Sequence, residues 1–230
     1  MSAQGYKYVI EHMEDDDATT TSVPPWVRLE YAQMLKNAGR QSKVLFTSLS
    51  APSAAALPAQ LAQAVGDAPD VAACQATTTP ILDLLATAGP DGSPVPISKV
   101  CLLDPRAPQV LSPADGAPGA FEFFLFGGIL GDDPPRDRTG ELRKLGFETR
   151  HLGSVQMTTD TALGVTKIII DDKIPLDEIS YVDHPTIRFN DKESVEMPFR
   201  YVKGPDGEPI LPAGMRELLQ QDLNKTFDEF

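Results

Sequence analysis

Short apolar runs recur along this chain, and each is bounded by glycine, proline or charged residues. The runs that are rich in β-branched and aromatic residues predict strands at "YKYVI" near the N-terminus, 43–49, 99–104, 120–126 and "FETRHLG", which ends at Gly153. The runs at 99–104 and 120–126 are apolar at consecutive rather than alternating positions, which is typical of strands that are covered on both faces.

A helical period separates several of the runs. Val27, Tyr31 and Met34 share one face of a predicted helix over 25–38, and Gly39 marks its end. Further helices are predicted at 54–66, 77–87, 136–145, the stretch "TTDTALGVTKIIIDD" and 213–227. The first strand, the first helix and the next strand begin a βαβ unit. We therefore predict an α/β fold with a mostly parallel sheet flanked by helices.

The composition changes twice along the chain. Half of the 46 residues of 51–96 are Ala, Pro or Gly, which predicts a scaffold segment with little chemistry. The stretch from 174 to the final helix is mostly irregular in pattern, with scattered aromatic residues that would anchor it. We expect an α/β domain over 1–173 that includes the variable 51–96 stretch, and a C-terminal extension over 174–230 packed on the same domain.

The charge balance narrows the choice of partners. Twenty Lys and Arg stand against thirty-three Asp and Glu, for a net charge of −13. Nucleic-acid binding depends largely on neutralising phosphates with basic side chains, so we do not expect a nucleic-acid partner. A basic protein is the easier partner to attract over distance, although the charge alone would also serve solubility.

The remaining composition favours a cytoplasmic protein. Cys74 and Cys101 are too few for a disulfide framework. No stretch approaches the roughly 18 consecutive apolar residues of a membrane span, and the first residues lack the pattern of a secretory signal.

The three histidines are scattered, so no metal site is expected. No Gly-x-Ser-x-Gly motif is present, which disfavours a serine hydrolase.

Three predicted strands end in loops of glycine, proline and polar residues. These loops are "LLDPR" at 102–106, "FGGILGDD" at 126–133 and "HLGSVQMTTDTA" at 151–162. The carboxyl ends of parallel strands are where open α/β sheets bind ligands, so three such loops would form one pocket. The glycines are equally compatible with tight turns that require φ > 0. The Thr and Asp residues of the third loop favour simple helix capping, which needs no ligand. Only the repetition of such loops at three strand ends weakens that interpretation.

The second loop does not match the dinucleotide fingerprint, because its glycine spacing is wrong and Asp-Asp-Pro-Pro follows where a helix should start. It is not a phosphate loop, because it has no Gly-Lys-Ser/Thr. The segment "EMPFRY" at 196–201 has a structural interpretation, in which its aromatic residues anchor the tail. It also has a functional one, in which Glu196 and Arg200 border a site.

Taken together, seven ordered motifs resemble a known family. These are "KYVIEHMED", "PWVRLEY", "VCLLDPRA", "FGGILGDDPPRDRT", "LGSVQMTTDTA", "EMPFRY" and "GEPILPAGM". They are similar to the SPOUT-class methyltransferases, and within that class to the fungal protein-arginine methyltransferases that modify a small-subunit ribosomal protein. The resemblance implies a trefoil knot at the C-terminal end of the sheet, which sequence rules alone would not suggest.

The resemblance also implies S-adenosylmethionine as the cofactor, held among the three loops. On this mapping the first loop contributes Leu103, Asp104 and Pro105. The second contributes Gly127, Gly128, Ile129, Leu130 and Gly131, and the third contributes Leu152, Gly153, Gln156, Met157, Thr158 and Thr159. The chain departs from the family in a longer acidic loop at 14–22, which puts the details of substrate binding in question.

Carboxylates are needed to orient an arginine acceptor, because its pKa above about 12 leaves the lone pairs delocalised. The catalytic candidates are Glu11, Asp132 and Glu196. We expect a monomer, since the tail would cover the surface by which SPOUT proteins usually dimerise. Two alternatives stay open: an RNA methyltransferase of the same fold, and a non-catalytic module that binds the cofactor or a partner.

Overall fold

A six-stranded, fully parallel sheet forms the centre of the molecule. The structure, a computed structural model, describes residues 5–12, 23–128 and 139–228. The strands of this sheet are β1 (Lys7–His12), β2 (Lys43–Thr47), β3 (Ala73–Ala76), β4 (Val100–Leu103), β5 (Phe123–Gly128) and β6 (Glu148–Arg150). This sheet confirms the predicted α/β fold class.

The strand order is β3-β2-β1-β5-β4-β6, so β1 lies between β2 and β5. Glu11 is aligned with Thr47 on one side and with Gly127 on the other. The order of strands reverses between β1 and β5, which is where open α/β sheets place their ligand crevice. The carboxyl ends of β4, β5 and β6 lie at the same edge because the strands are parallel.

Six α-helices accompany the sheet in the described residues. They are α1 (Pro25–Ala38), α2 (Ala51–Val65), α3 (Ile81–Leu85), α4 (Thr139–Arg143), α5 (Thr159–Ile170) and α6 (Met215–Asp228). One apolar core packs α1, α2 and α5 against one face of the sheet, and a second core packs α3 and α4 against the other. Successive residues of β5 alternate between the two cores, as the continuous apolar runs predicted.

The C-terminal extension contains more regular structure than its sequence pattern predicted. Four strands, each three residues long, form two small antiparallel sheets: β7 (Tyr181–Asp183) with β10 (Arg200–Val202), and β8 (Thr186–Arg188) with β9 (Ser194–Glu196). Ile187 and Tyr201 are each about 1% exposed. Leu176, Ile179, Tyr181 and Val202 pack against the core that contains α1 and α5, and they anchor the extension on the α/β domain.

The stretch 51–96 also differs in one respect from its prediction. Its two helices are present, but residues between them form β3, which pairs with β2 at the edge of the sheet. Sequence patterns missed β3 because "ACQA" is short, small in side-chain volume and half exposed. No helix within the described residues is long and apolar enough to cross a membrane.

Candidate active site

A cavity of about 730 Å³ opens at the carboxyl edge of the sheet. The three predicted loops meet there: the structure places in its wall Leu103, Asp104, Pro105, Gly127, Leu152, Gly153, Gln156, Met157, Thr158 and Thr159. Helix α1 and the C-terminal extension also contribute to the wall, with Trp26, Met197, Phe199 and Met215 among the lining residues. Its volume is in the range of small-molecule sites.

The first loop is fixed by an ion pair. Asp104 is buried, and its carboxylate accepts hydrogen bonds from the Arg143 side chain at 2.8 Å and the Arg106 backbone N–H at 2.9 Å. Burial alone would raise the pKa of Asp104, but these bonds to Arg143 and Arg106 outweigh it and lower the pKa. Asp104 is therefore an anion whose charge is already neutralised within the wall.

In the second loop, Gly127 lines the cavity, whereas Gly128 does not. Both continue the extended strand β5, so neither is the tight turn with φ > 0 that was one interpretation of the pair. A Cβ on Gly128 would lie 2.8 Å from the carbonyl oxygen of Glu11, so glycine there allows β1 and β5 to approach. The predicted residues Ile129, Leu130, Gly131 and Asp132 lie outside the described residues.

The third loop is held from both ends. Gly153 has φ +92°, a left-handed conformation that favours glycine, and its N–H donates to Nδ1 of His151 at 3.0 Å. The N–H of Arg200 donates to the carbonyl of Gln156 at 2.8 Å. The C-terminal extension thus fixes the loop that leads into α5.

Two of the three predicted catalytic carboxylates lie among the described residues, and neither lines the cavity. The Glu11 carboxylate accepts hydrogen bonds of 2.5 Å from the Thr47 and Ser48 hydroxyls and one of 3.2 Å from the N–H of Ile81. Glu196 is exposed in β9, next to the lining residue Met197. The catalytic role of Glu11 stays a prediction, and its contacts favour a structural role.

The cavity instead contains two carboxylates that the sequence analysis did not select. Glu30 of α1 and Asp160 of α5 both line it and are 7% and 2% exposed. Burial raises the pKa of Glu30 well above its ordinary value, and the nearby Asp160 charge raises it further. Burial raises the pKa of Asp160 to about 6, although hydrogen bonds with Thr158 and Thr161 act in the opposite direction. The sequence signal was faint: Glu30 lies within "PWVRLEY", and Asp160 was interpreted as a capping residue.

The comparisons with known proteins agree with this architecture. A model of the family described as "Protein arginine N-methyltransferase SFM1-like" matches residues 7–226. Protein arginine N-methyltransferase SFM1 of Saccharomyces cerevisiae (strain ATCC 204508 / S288c) is 40% identical over 226 residues, which cover 97% of this chain and 98% of that protein.

Crystal structures of the yeast arginine methyltransferase SFM1 are similar to this chain. The complex with SAM has a TM-score of 0.79 at 40% identity and covers 95% of this chain and 91% of that one. The complex with SAH has a TM-score of 0.74 at 41% identity and covers 93% and 94%. The resemblance inferred from the seven motifs is thereby confirmed, and the chain belongs to the SFM1-like family of protein arginine N-methyltransferases.

Proposed function

We propose that this chain is an S-adenosylmethionine-dependent protein arginine N-methyltransferase. The observation that carries the proposal is the convergence of three strand-end loops in one cavity. The yeast relative has been crystallised with SAM, SAH and MTA. Family membership over nearly the whole chain makes the same activity the natural one here.

The cavity has the properties that an adenosine-bearing ligand requires. Gly127 presents bare main chain to it, and Leu152 and Met157 supply apolar surface on which a flat ring can pack. We propose that the donor is held by the residues named for the three loops, including Ile129, Leu130 and Gly131, which lie outside the described residues. Gly128 acts differently, through the approach of β1 to β5.

S-adenosylmethionine supplies an electrophilic methyl group, and the protein has to align an acceptor nitrogen with it. Such alignment is worth roughly 7–11 kcal/mol of barrier. Asp104 and Arg143 hold the first loop rigid for this purpose. We keep Asp132 and Glu196 as proposed contacts of the basic substrate at the border of the cavity. Glu196 adjoins the lining residue Met197, and Asp132 belongs to the second loop.

We propose a basic ribosomal protein of the small subunit as the substrate, acted on in the cytoplasm by a monomeric enzyme. The net charge of −13 supports a cationic substrate, and the motif resemblance supports the ribosomal one. The extension 174–230 supports the monomer, because it packs on α5 and on the third loop. The trefoil knot remains a prediction of the same resemblance.

The test uses the full chain, methyl-labelled S-adenosylmethionine and purified small ribosomal subunits. After incubation, RNA and protein are separated, and the labelled residue is identified by mass spectrometry. We expect label on arginine of one basic protein and none on RNA. Label in RNA would show the alternative RNA methyltransferase, and cofactor binding by calorimetry without any labelled product would show a non-catalytic module.

A further inference from the structure

Glu30 and Asp160 form a buried acidic pair at the cavity wall. They come from α1 and α5, two helices that pack against each other on the same face of the sheet. Among the described residues, no hydrogen bond or ion pair joins either carboxylate to a basic side chain; the Arg143 guanidinium is engaged with Asp104 instead. Two anions buried together without a cation are costly, because each disfavours the ionised form of the other.

The acidic pair is accompanied by polar atoms without partners. Oδ1 of Asp160 and the hydroxyl oxygen of Tyr201 are buried and have no hydrogen-bond partner within the described residues. Tyr201 is 1% exposed, lines the same cavity from β10 and has its pKa raised by burial and by the charges of Asp160 and Glu30. Buried polar groups are normally satisfied, and a ligand with several donor groups would satisfy both atoms.

Of the carboxylates that line the cavity among the described residues, Glu30 and Asp160 have no basic partner. Helix α1 contributes Glu30, α5 contributes Asp160 and β10 contributes Tyr201. The first loop contributes Asp104 and Arg106, of which Asp104 is neutralised by Arg143. Helix α6 contributes only the apolar Met215 and Leu219.

We propose that Glu30 and Asp160 share one proton while the cavity holds no cation, and that the guanidinium of the acceptor arginine displaces this proton when it binds to them. This inference rests on the proposed function. It is consistent with the raised pKa of both carboxyls. A planar guanidinium carries five N–H donors, enough to satisfy two carboxylates and the Tyr201 hydroxyl at once.

The proposal makes substrate binding a proton-releasing step. The guanidinium keeps its own charge, since its pKa is above about 12, so the released proton comes from the acidic pair. Raising the pH through the range in which the pair titrates therefore strengthens arginine binding. The pH dependence should appear in KM for the arginine substrate, because once the cation is bound the pair is already ionised.

Proton release is measured by titration calorimetry at pH 7 with a synthetic peptide that contains one arginine between glycines. The titration is repeated in buffers of different ionisation enthalpy, with and without S-adenosylhomocysteine. We expect release of about one proton per peptide bound by the wild-type chain. Glu30→Gln should bind at least tenfold more weakly and release almost none, whereas the control Glu122→Gln, at an exposed position outside the cavity wall, should still release about one. Peptide binding without proton release in the wild type would overturn the inference.

A second measurement needs no ligand and separates this inference from the proposed function. The free chain is labelled with ¹³C at its carboxyl groups and titrated by NMR, with signals assigned from Glu30→Gln and Asp160→Asn. We expect the two carboxyls to titrate in two coupled steps in the wild type, one of them at or above pH 6. In each variant the remaining carboxyl should titrate in a single step, still above its ordinary value of about 4 because it stays buried. Titration of both near pH 4 in the wild type would overturn the shared proton, even if methyl transfer to arginine were found. Failure of S-adenosylhomocysteine to bind would instead overturn the proposed function.

Discussion

At the scale of single residues, a buried carboxylate is defined by what it contacts. The Glu11 carboxylate accepts hydrogen bonds from the Thr47 and Ser48 hydroxyls at the end of β2 and from the N–H of Ile81 at the start of α3. Glu11 does not line the cavity. Glu30 and Asp160 face the cavity and have no basic partner among the described residues. The first arrangement stabilises the fold, whereas the second is available to a ligand.

Replacement of Glu11 by Gln separates these roles. The glutamine amide keeps one acceptor oxygen, but its NH₂ group replaces the other carboxylate oxygen. That NH₂ donor then faces the hydroxyl donor of Ser48 or Thr47. We expect a loss of about 1–3 kcal/mol in the free energy of unfolding, measured by urea denaturation, with methyl transfer by the folded fraction nearly unchanged. Glu122→Gln, at an exposed position, is the control and should be neutral. A large fall in kcat at unchanged stability would restore Glu11 as catalytic.

A second residue-scale prediction concerns Gly153 in the third loop. Its φ of +92° costs any other residue about 1–3 kcal/mol of strain, although a Cβ would meet only Leu176 at 3.7 Å. Gly153→Ala should therefore lower stability and weaken S-adenosylhomocysteine binding several-fold by calorimetry. Gly119 has a similar φ of +86°, open surroundings and no place in the cavity wall. Gly119→Ala should show a similar loss of stability with unchanged cofactor affinity, and equal affinities in the two variants would contradict the proposed donor site.

At the scale of helices and strands, the central architecture followed from local patterns. The continuous apolar runs of β4 and β5 predicted strands buried on both faces, and they are. The meeting of the three loops in one cavity was predicted because their position depends only on where a parallel strand ends. The three-residue strands β7–β10 were missed, since so short a segment carries no period. The pairing of Glu30 with Asp160 was missed because it depends on how α1 packs against α5, which no local pattern encodes.

The packing of α1 against α5, which buries Glu30 and Asp160 together, predicts how the stability of the chain depends on pH. The pKa values of Glu30 and Asp160 are raised in the folded chain, so their contribution to stability is fully present below about pH 4 and is lost as pH rises through the folded values, about 6 for Asp160. In Glu30→Gln only the Asp160 carboxyl still titrates, so this loss is smaller. From pH 5 to pH 7 we expect the Tm of the variant to gain about 2–4 °C relative to wild type. A difference in Tm between variant and wild type that is constant with pH would contradict the raised pKa of Glu30. The titration of histidines does not affect this difference, because both proteins contain the same histidines.

At the scale of the whole molecule, the net charge of −13 would act on the approach of the proposed basic substrate rather than on the chemistry. Long-range attraction of a basic protein speeds its encounter, and salt screens it over a Debye length of about 10 Å at 0.1 M. The acidic pair lies buried at the cavity wall, so it contributes at short range and is screened less. Steering and final recognition are therefore separable in this protein.

Ionic strength provides the measurement. For a strongly basic substrate protein, kcat/KM should fall about 3–10-fold between roughly 0.05 and 0.3 M salt, because the encounter rate carries the charge dependence. A short arginine peptide whose flanking acidic residues bring its net charge to zero is the matched control, and its kcat/KM should change less than about twofold over the same range. An equal fall for both substrates would place the salt sensitivity in the cavity itself. In that case the surface charge would serve solubility alone, and the choice of a basic partner would depend entirely on contacts made after docking.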